Sequence, residues 1–213
     1  AGLLCALCFS GLFAMERKGG MDEILACTPL GRKYTVKAKL RQSTAVAAVI
    51  SFGTVLPHLW QVLRDYGLPS LLGPAMSISD LQAVPKFITL SDLLIFWLIC
   101  RFAACLCMSR ITLWLGQKLV NLLTALFISA VTYCLPALLS LSGMKNGIEW
   151  LGFYPLFHAA ALWQNQGYTA DGKSYNAMWI PIFLVCAAFF LAWAIGQALI
   201  DDYDMIGVPD EVL

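Results

Sequence analysis

Charge is scarce in this chain. Only 13% of its residues are Asp, Glu, Lys or Arg, against 60% hydrophobic, whereas about a quarter of a soluble domain is charged. With a mean hydropathy of +0.74, the composition is that of a membrane protein. The few charges nearly cancel: 14 basic and 13 acidic residues leave a net +1, so no overall field points to nucleic acid or to an acidic substrate. Several chemical signatures are also missing. There is no G-x-x-x-x-G-K-[ST] phosphate loop, so the chain does not bind ATP by that route. There is no H-E-x-x-H, and the two histidines, His58 and His158, are far apart and too few for an ordinary metal site. An intramembrane hydrolase would have to rely on Glu149 and His158, an acid and a base on one segment. The expectation is a protein that is not itself an enzyme and holds no cofactor or metal.

Cysteine is present in number, with eight residues, but not in a disulfide pattern. Cys5, Cys8, Cys100, Cys105, Cys107, Cys134 and Cys186 fall in apolar runs and Cys27 in a charged segment. Cys5 and Cys8 have C-x-x-C spacing without the second pair or the histidines a metal site needs. They read as small buried hydrophobes.

Apolar runs organise the chain. Residues 1–14, AGLLCALCFSGLFA, carry no charge but fall short of the about 20 residues that cross a bilayer core, so a helix cut at its N-terminus is expected. A signal peptide is the competing reading, but its basic residues should precede the apolar stretch, and here they come after it. Further spans are expected at 42–63, 93–109, 119–141 and 178–200. Lys and Arg concentrate between the first two: Arg17, Lys18, Arg32, Lys33, Lys37, Lys39 and Arg41. The positive-inside bias then makes segment 15–41 cytoplasmic, with Arg110, Lys118 and the acidic tail 201–213 on the same side. The loops around 64–92 and 142–177 lie outside. The first has the prolines and glycines of a turn-rich segment. The second contains GIEWLGFYPLFHAAALW, apolar and aromatic but too short to span comfortably, and reads as an interfacial or re-entrant helix pair broken near Pro155. In the 119–141 span, Ala125, Ser129, Ala130 and Thr132 are small enough for close helix approach.

Arg101 interrupts an apolar run, and an ionisable group inside a span is a candidate functional residue. The competing account is that it snorkels towards the inner surface or pairs with a neighbouring helix. No acid shares its span; Asp92 at the outer end is the nearest.

The charged segment MERKGGMDEILACTPLGRKYTVKAK has internal order. Gly19 and Gly20 break the helix leaving the membrane, and Pro29 with Gly31 ends the next helical stretch, which is about two turns long. Met21, Ile24 and Leu25 share one face of that short helix, with Asp22 and Glu23 at its dipole-favoured start. Such a helix can be a lever that docks into a partner's groove or a plain loop whose basic residues set topology. Glu16, Gly20, Leu25, Thr28, Pro29, Gly31, Arg32 and Lys39 together resemble the E…G…L…TP.GR…K signature that comes after the second membrane helix of ABC-2 type transporter permeases. The order of span, turn-rich loop, two spans, aromatic loop and last span is similar to helices three to six of that family. Gly19-Gly20-Met21 departs from the Gly-Thr found in many members.

The resemblance implies an all-α polytopic bundle of about five spans, a single permease domain over 1–213, in the bacterial plasma membrane. It implies a coupling element that contacts a separate ATP-binding subunit, which would hold ATP and Mg. A second permease copy or homologue and membrane lipid complete the expected partners. Glu16 would cap or pair with the coupling helix, Met21, Ile24 and Leu25 would seat in the ATPase subunit, and Arg32 and Lys39 would anchor the return to the membrane. For Lys39 and Arg41 an ordinary interfacial role is the stronger expectation, since basic residues commonly end cytoplasmic helices. A secondary transporter or a non-transporting scaffold has similar hydropathy, and neither needs an ATPase partner.

Overall fold

The computed structural model describes residues 1–21, 31–67, 71–75, 88–119, 121–141 and 175–204. Within them the protein is mostly helical, with five helices: α1 (Gly2–Lys18), α2 (Gly31–Tyr66), α3 (Leu90–Lys118), α4 (Leu122–Leu141) and α5 (Tyr175–Asp204). Three stretches, Tyr34–Asp65, Leu90–Lys118 and Ile182–Asp201, are long and apolar enough to cross a membrane, and Gly2–Gly11 and Leu123–Thr132 are shorter apolar helical stretches. Large apolar side chains on the bundle exterior fit that setting: Trp60 is 72% exposed, Phe127 69% and Phe190 67%, far more than a water-facing surface tolerates.

The helices outrun the apolar runs that locate them. α2 starts at Gly31, eleven residues before the apolar run at 42, because Val36, Ala38, Leu40, Gln42 and the intervening Lys and Arg contain nothing that halts a helix at the lipid boundary. Its 36 residues extend about 54 Å, well beyond a hydrocarbon core of about 30 Å. Pro57 lies inside it and removes one backbone donor. Gly67 ends it with φ +73, its N–H donating to the Leu63 carbonyl at 3.0 Å, a left-handed cap that glycine adopts without strain. Gly20, with φ +67, comes after α1 at the break expected there. α3 continues past residue 109 to Lys118, so Arg110 is helical and lies inside a span-length element.

α3 is the hub, packing against each of the other four helices. Its buried face reaches from Cys100 to Gln117, and the bundle core adds Cys5 and Phe9 from α1, Val36, Leu40 and Ala47 from α2, and Val185, Ala188, Ala192 and Leu199 from α5. Small side chains dominate these seams and let the backbones approach: the Cys107 thiol donates to the Ala188 carbonyl at 2.9 Å. On α4, Ala125 and Ser129 are buried, Ala130 is half-buried and Thr132 is exposed, so only part of the expected small-residue face is used. Among the cysteines, Cys5, Cys100, Cys105 and Cys107 are buried as expected, whereas Cys8 and Cys186 are exposed; Cys8 is three positions from Cys5, yet it falls outside the α1 core face formed by Cys5 and Phe9. Cys27 lies outside the described residues.

Three contacts set the helix directions, starting at the end where α1 meets α2. Glu16 near the end of α1 pairs with Lys39 near the start of α2, so the two helices are antiparallel. Thr44 of α2 meets Arg110 in the second half of α3, so these run antiparallel too. The Cys5 and Cys105 thiols then lie against each other across α1 and α3, as the parallel direction of those helices requires. At the opposite end, a short bridge of Pro74 with Thr89 closes the loop between α2 and α3, and Thr89 caps α3.

Candidate functional site

The two helices that flank the charged segment are joined at its base. Glu16 stands in the last turn of α1, and its Oε2 accepts from the Lys39 ammonium. The Lys39 side chain is 7% exposed and that of Glu16 24%. This corrects the interfacial-anchor expectation for Lys39: it is an interior residue of the α1–α2 seam, on the stripe Val36, Lys39, Leu40, Ser43 and Ala47, all buried at the three- and four-residue spacing of one helix face. Glu16 pairs with α2; the short helix expected beyond it lies, apart from Met21, outside the described residues. Arg41, by contrast, is exposed. Gly20 and Met21 come after α1 and are exposed, Met21 at 51%. Gly31 and Arg32 open α2. Ile24, Leu25, Thr28 and Pro29 lie outside the described residues, as do residues 142–174 with the aromatic segment and the Glu149 and His158 pair.

Five residues beyond Lys39, about 7.5 Å along α2, Thr44 links the hairpin to the hub. Arg110 donates from Nη2 to Thr44 Oγ1 at 2.9 Å, and Thr44 Oγ1 donates to the Leu40 carbonyl at 3.0 Å. The hydroxyl is therefore both acceptor and donor, an oriented relay from α3 into the backbone of α2. Hydropathy alone ends the span at 109, before Arg110; the helix runs on to Lys118. A signal was present nonetheless, since Ser109, Thr112 and Leu113 continue the buried face of α3 with no Gly or Pro before Gly116.

Arg101 lies eleven residues from Leu90 and seventeen from Lys118, about 16 and 25 Å along the axis. The side chain turns towards the Leu90 end, as helical side chains lean towards their N-terminus: its guanidinium carbon lies 5.1 Å from the centre of the Trp97 ring, one turn towards Leu90. This is a cation–π contact. Nε is buried with no hydrogen-bond partner. Asp92, the nearest acid in sequence, is engaged elsewhere. Its Oδ2 accepts from the Thr89 backbone N–H at 3.1 Å and from the Thr89 hydroxyl at 2.6 Å, forming a capping box with the Thr89 Oγ1 that accepts from the Asp92 N–H. No group of three or more His, Cys, Asp or Glu able to hold a metal occurs among the described residues.

Comparison with protein-family models, with characterised proteins and with solved structures finds no match for the chain.

Proposed function

We propose that this chain is the membrane-spanning permease subunit of an ABC-2 type transporter, an exporter of the bacterial plasma membrane. Its five helices form the span set, with the charged segment cytoplasmic, and a separate ATP-binding subunit hydrolyses ATP. The observation that supports this reading is the Glu16–Lys39 pair. A coupling element transmits force only if the helices on both sides of it move as a unit. The pair ties the end of α1 to the start of α2 within the signature that resembles the family's, and the Arg110–Thr44 bond extends the tie to α3. Movement of the partner ATPase against Met21, Ile24 and Leu25 would tilt the hairpin against the hub and open the path, in alternating access with a second permease copy or homologue.

The test is to purify the chain from its native membranes in mild detergent and identify what accompanies it. A stoichiometric subunit bearing a Walker A loop, lost in Leu25→Asp while the protein stays membrane-inserted, supports the reading. Ile24→Asp and Leu25→Asp are then expected to uncouple transport from ATP hydrolysis. A chain that purifies alone overturns the permease assignment and favours a secondary transporter or scaffold.

A further inference from the structure

α3 holds two cations far from its ends, Arg101 and Arg110, and their surroundings differ. Arg110 has an oriented acceptor in Thr44 for Nη2, although its Nη1 is buried without a partner. Arg101 has none: among the described residues its five N–H donors meet no hydrogen-bond acceptor and no carboxylate. The acids of the described residues, Glu16, Asp65, Asp92, Asp201, Asp202 and Asp204, all stand in the first or last turn of their helices; Glu16 is paired with Lys39 and Asp92 with Thr89. Nε of Arg101 is sealed without a partner, whereas its two terminal nitrogens are not among the buried orphan atoms, so the guanidinium is open at its terminal edge. Leu94, Trp97, Leu98 and Arg101 are each half-buried and keep the i, i+3, i+4, i+7 spacing of one face. The result is an apolar strip that ends in a cationic fork near the middle of the helix.

We infer that this strip binds an amphiphilic anion, its phosphate or carboxylate held by Arg101 over Trp97 and its hydrocarbon chain lying along Leu98 and Leu94 towards the Leu90 end. A planar fork without an internal partner matches either oxyanion in bidentate fashion. Depth selects an amphiphile over a small ion: a hydrated anion would have to shed its water about 16 Å from the nearer helix end, whereas an anion with its own tail leaves the tail in an apolar setting. That the ligand is transported cargo rests on the permease reading; the site does not.

The test is a calorimetric titration of the purified full chain in dodecyl maltoside with n-dodecyl phosphate, and separately with inorganic phosphate. Dodecyl phosphate is expected to bind, and Arg101→Gln to weaken it by about 10-fold or more, the loss expected for charge-assisted hydrogen bonds. Arg101→Lys, which keeps the charge and loses the fork, is expected to fall between. Removing a mid-span charge eases membrane insertion, so the glutamine variant is expected to fold, checked by its elution profile and helicity. Arg41→Gln, removing an exposed charge of α2, is expected to leave binding unchanged. Equal binding by wild type and Arg101→Gln overturns the site, as does an equal loss in Arg41→Gln. Inorganic phosphate binding as tightly as dodecyl phosphate overturns the amphiphile. Arg101-dependent binding in a chain that carries no ATPase partner would sink the permease reading and leave the site standing; an ATPase partner without such binding does the reverse.

Discussion

Deleting either member of the Glu16–Lys39 pair should not have the same effect. With Glu16→Gln, the Lys39 ammonium loses its carboxylate while its side chain is only 7% exposed. Breaking a buried pair costs about 3–5 kcal/mol, and about 3 kcal/mol is expected here because the Glu16 carboxylate is already in part solvated. With Lys39→Met the remaining charge is on Glu16, whose side chain is 24% exposed and can turn to water, so the cost falls to about 1.5 kcal/mol. The double variant removes both charges and places an apolar side chain in the seam, where a buried pair is often replaced at little cost. It should lose no more than about 1.5 kcal/mol, a coupling of about 3 kcal/mol at the upper end for groups in contact. Reversible unfolding in mixed micelles of rising dodecyl sulfate fraction, tracked by circular dichroism, measures all four proteins. Additive costs in the double variant, or Lys39→Met being the more damaging, would refute the placement of Lys39 in the interior.

Thr44→Val keeps the shape of the side chain but removes the acceptor for Arg110, and is expected to destabilise the α2–α3 contact by about 1–3 kcal/mol, the cost of an unsatisfied donor that carries charge; the same unfolding assay reads it, and no change would mean that Arg110 finds another acceptor. Thr89→Ala removes the capping box of α3 and should cost about 0.5–2 kcal/mol, with faster hydrogen exchange confined to the first turn of α3; uniform acceleration along the helix would contradict a local cap.

Hydropathy located every helix that the structure describes, because an apolar run marks where lipid or protein must surround the chain. It misjudged their ends, because a helix continues wherever nothing in its sequence breaks it, whether or not those residues are apolar. α2 therefore begins at Gly31, after Pro29, and α3 runs on to Lys118. The glycine breaks at Gly20 and Gly67 were legible, since a positive φ leaves few alternatives to glycine. Lys39 was legible in principle: it falls on the Val36–Ala47 stripe, a pattern outweighed by the general rule that basic residues end cytoplasmic helices.

Pairing across helices was not legible. Glu16 lies 23 positions from Lys39, and Arg110 66 from Thr44, and nothing local to either residue selects its partner. Composition and periodicity along one chain determine that this protein is helical and apolar, where its helices break and which residues carry charge. Which charges neutralise each other depends on helix direction, rotation and depth, and these emerge only when α3 packs against all four neighbours. Packing therefore decided that Lys39 is held, that Arg110 is bonded to Thr44, and that Arg101 meets no acceptor among the described residues. The physical reason is range: helix formation and hydropathy act within a few turns of one chain, whereas the energy of a buried charge is set by whatever the folded bundle brings within about 4 Å of it.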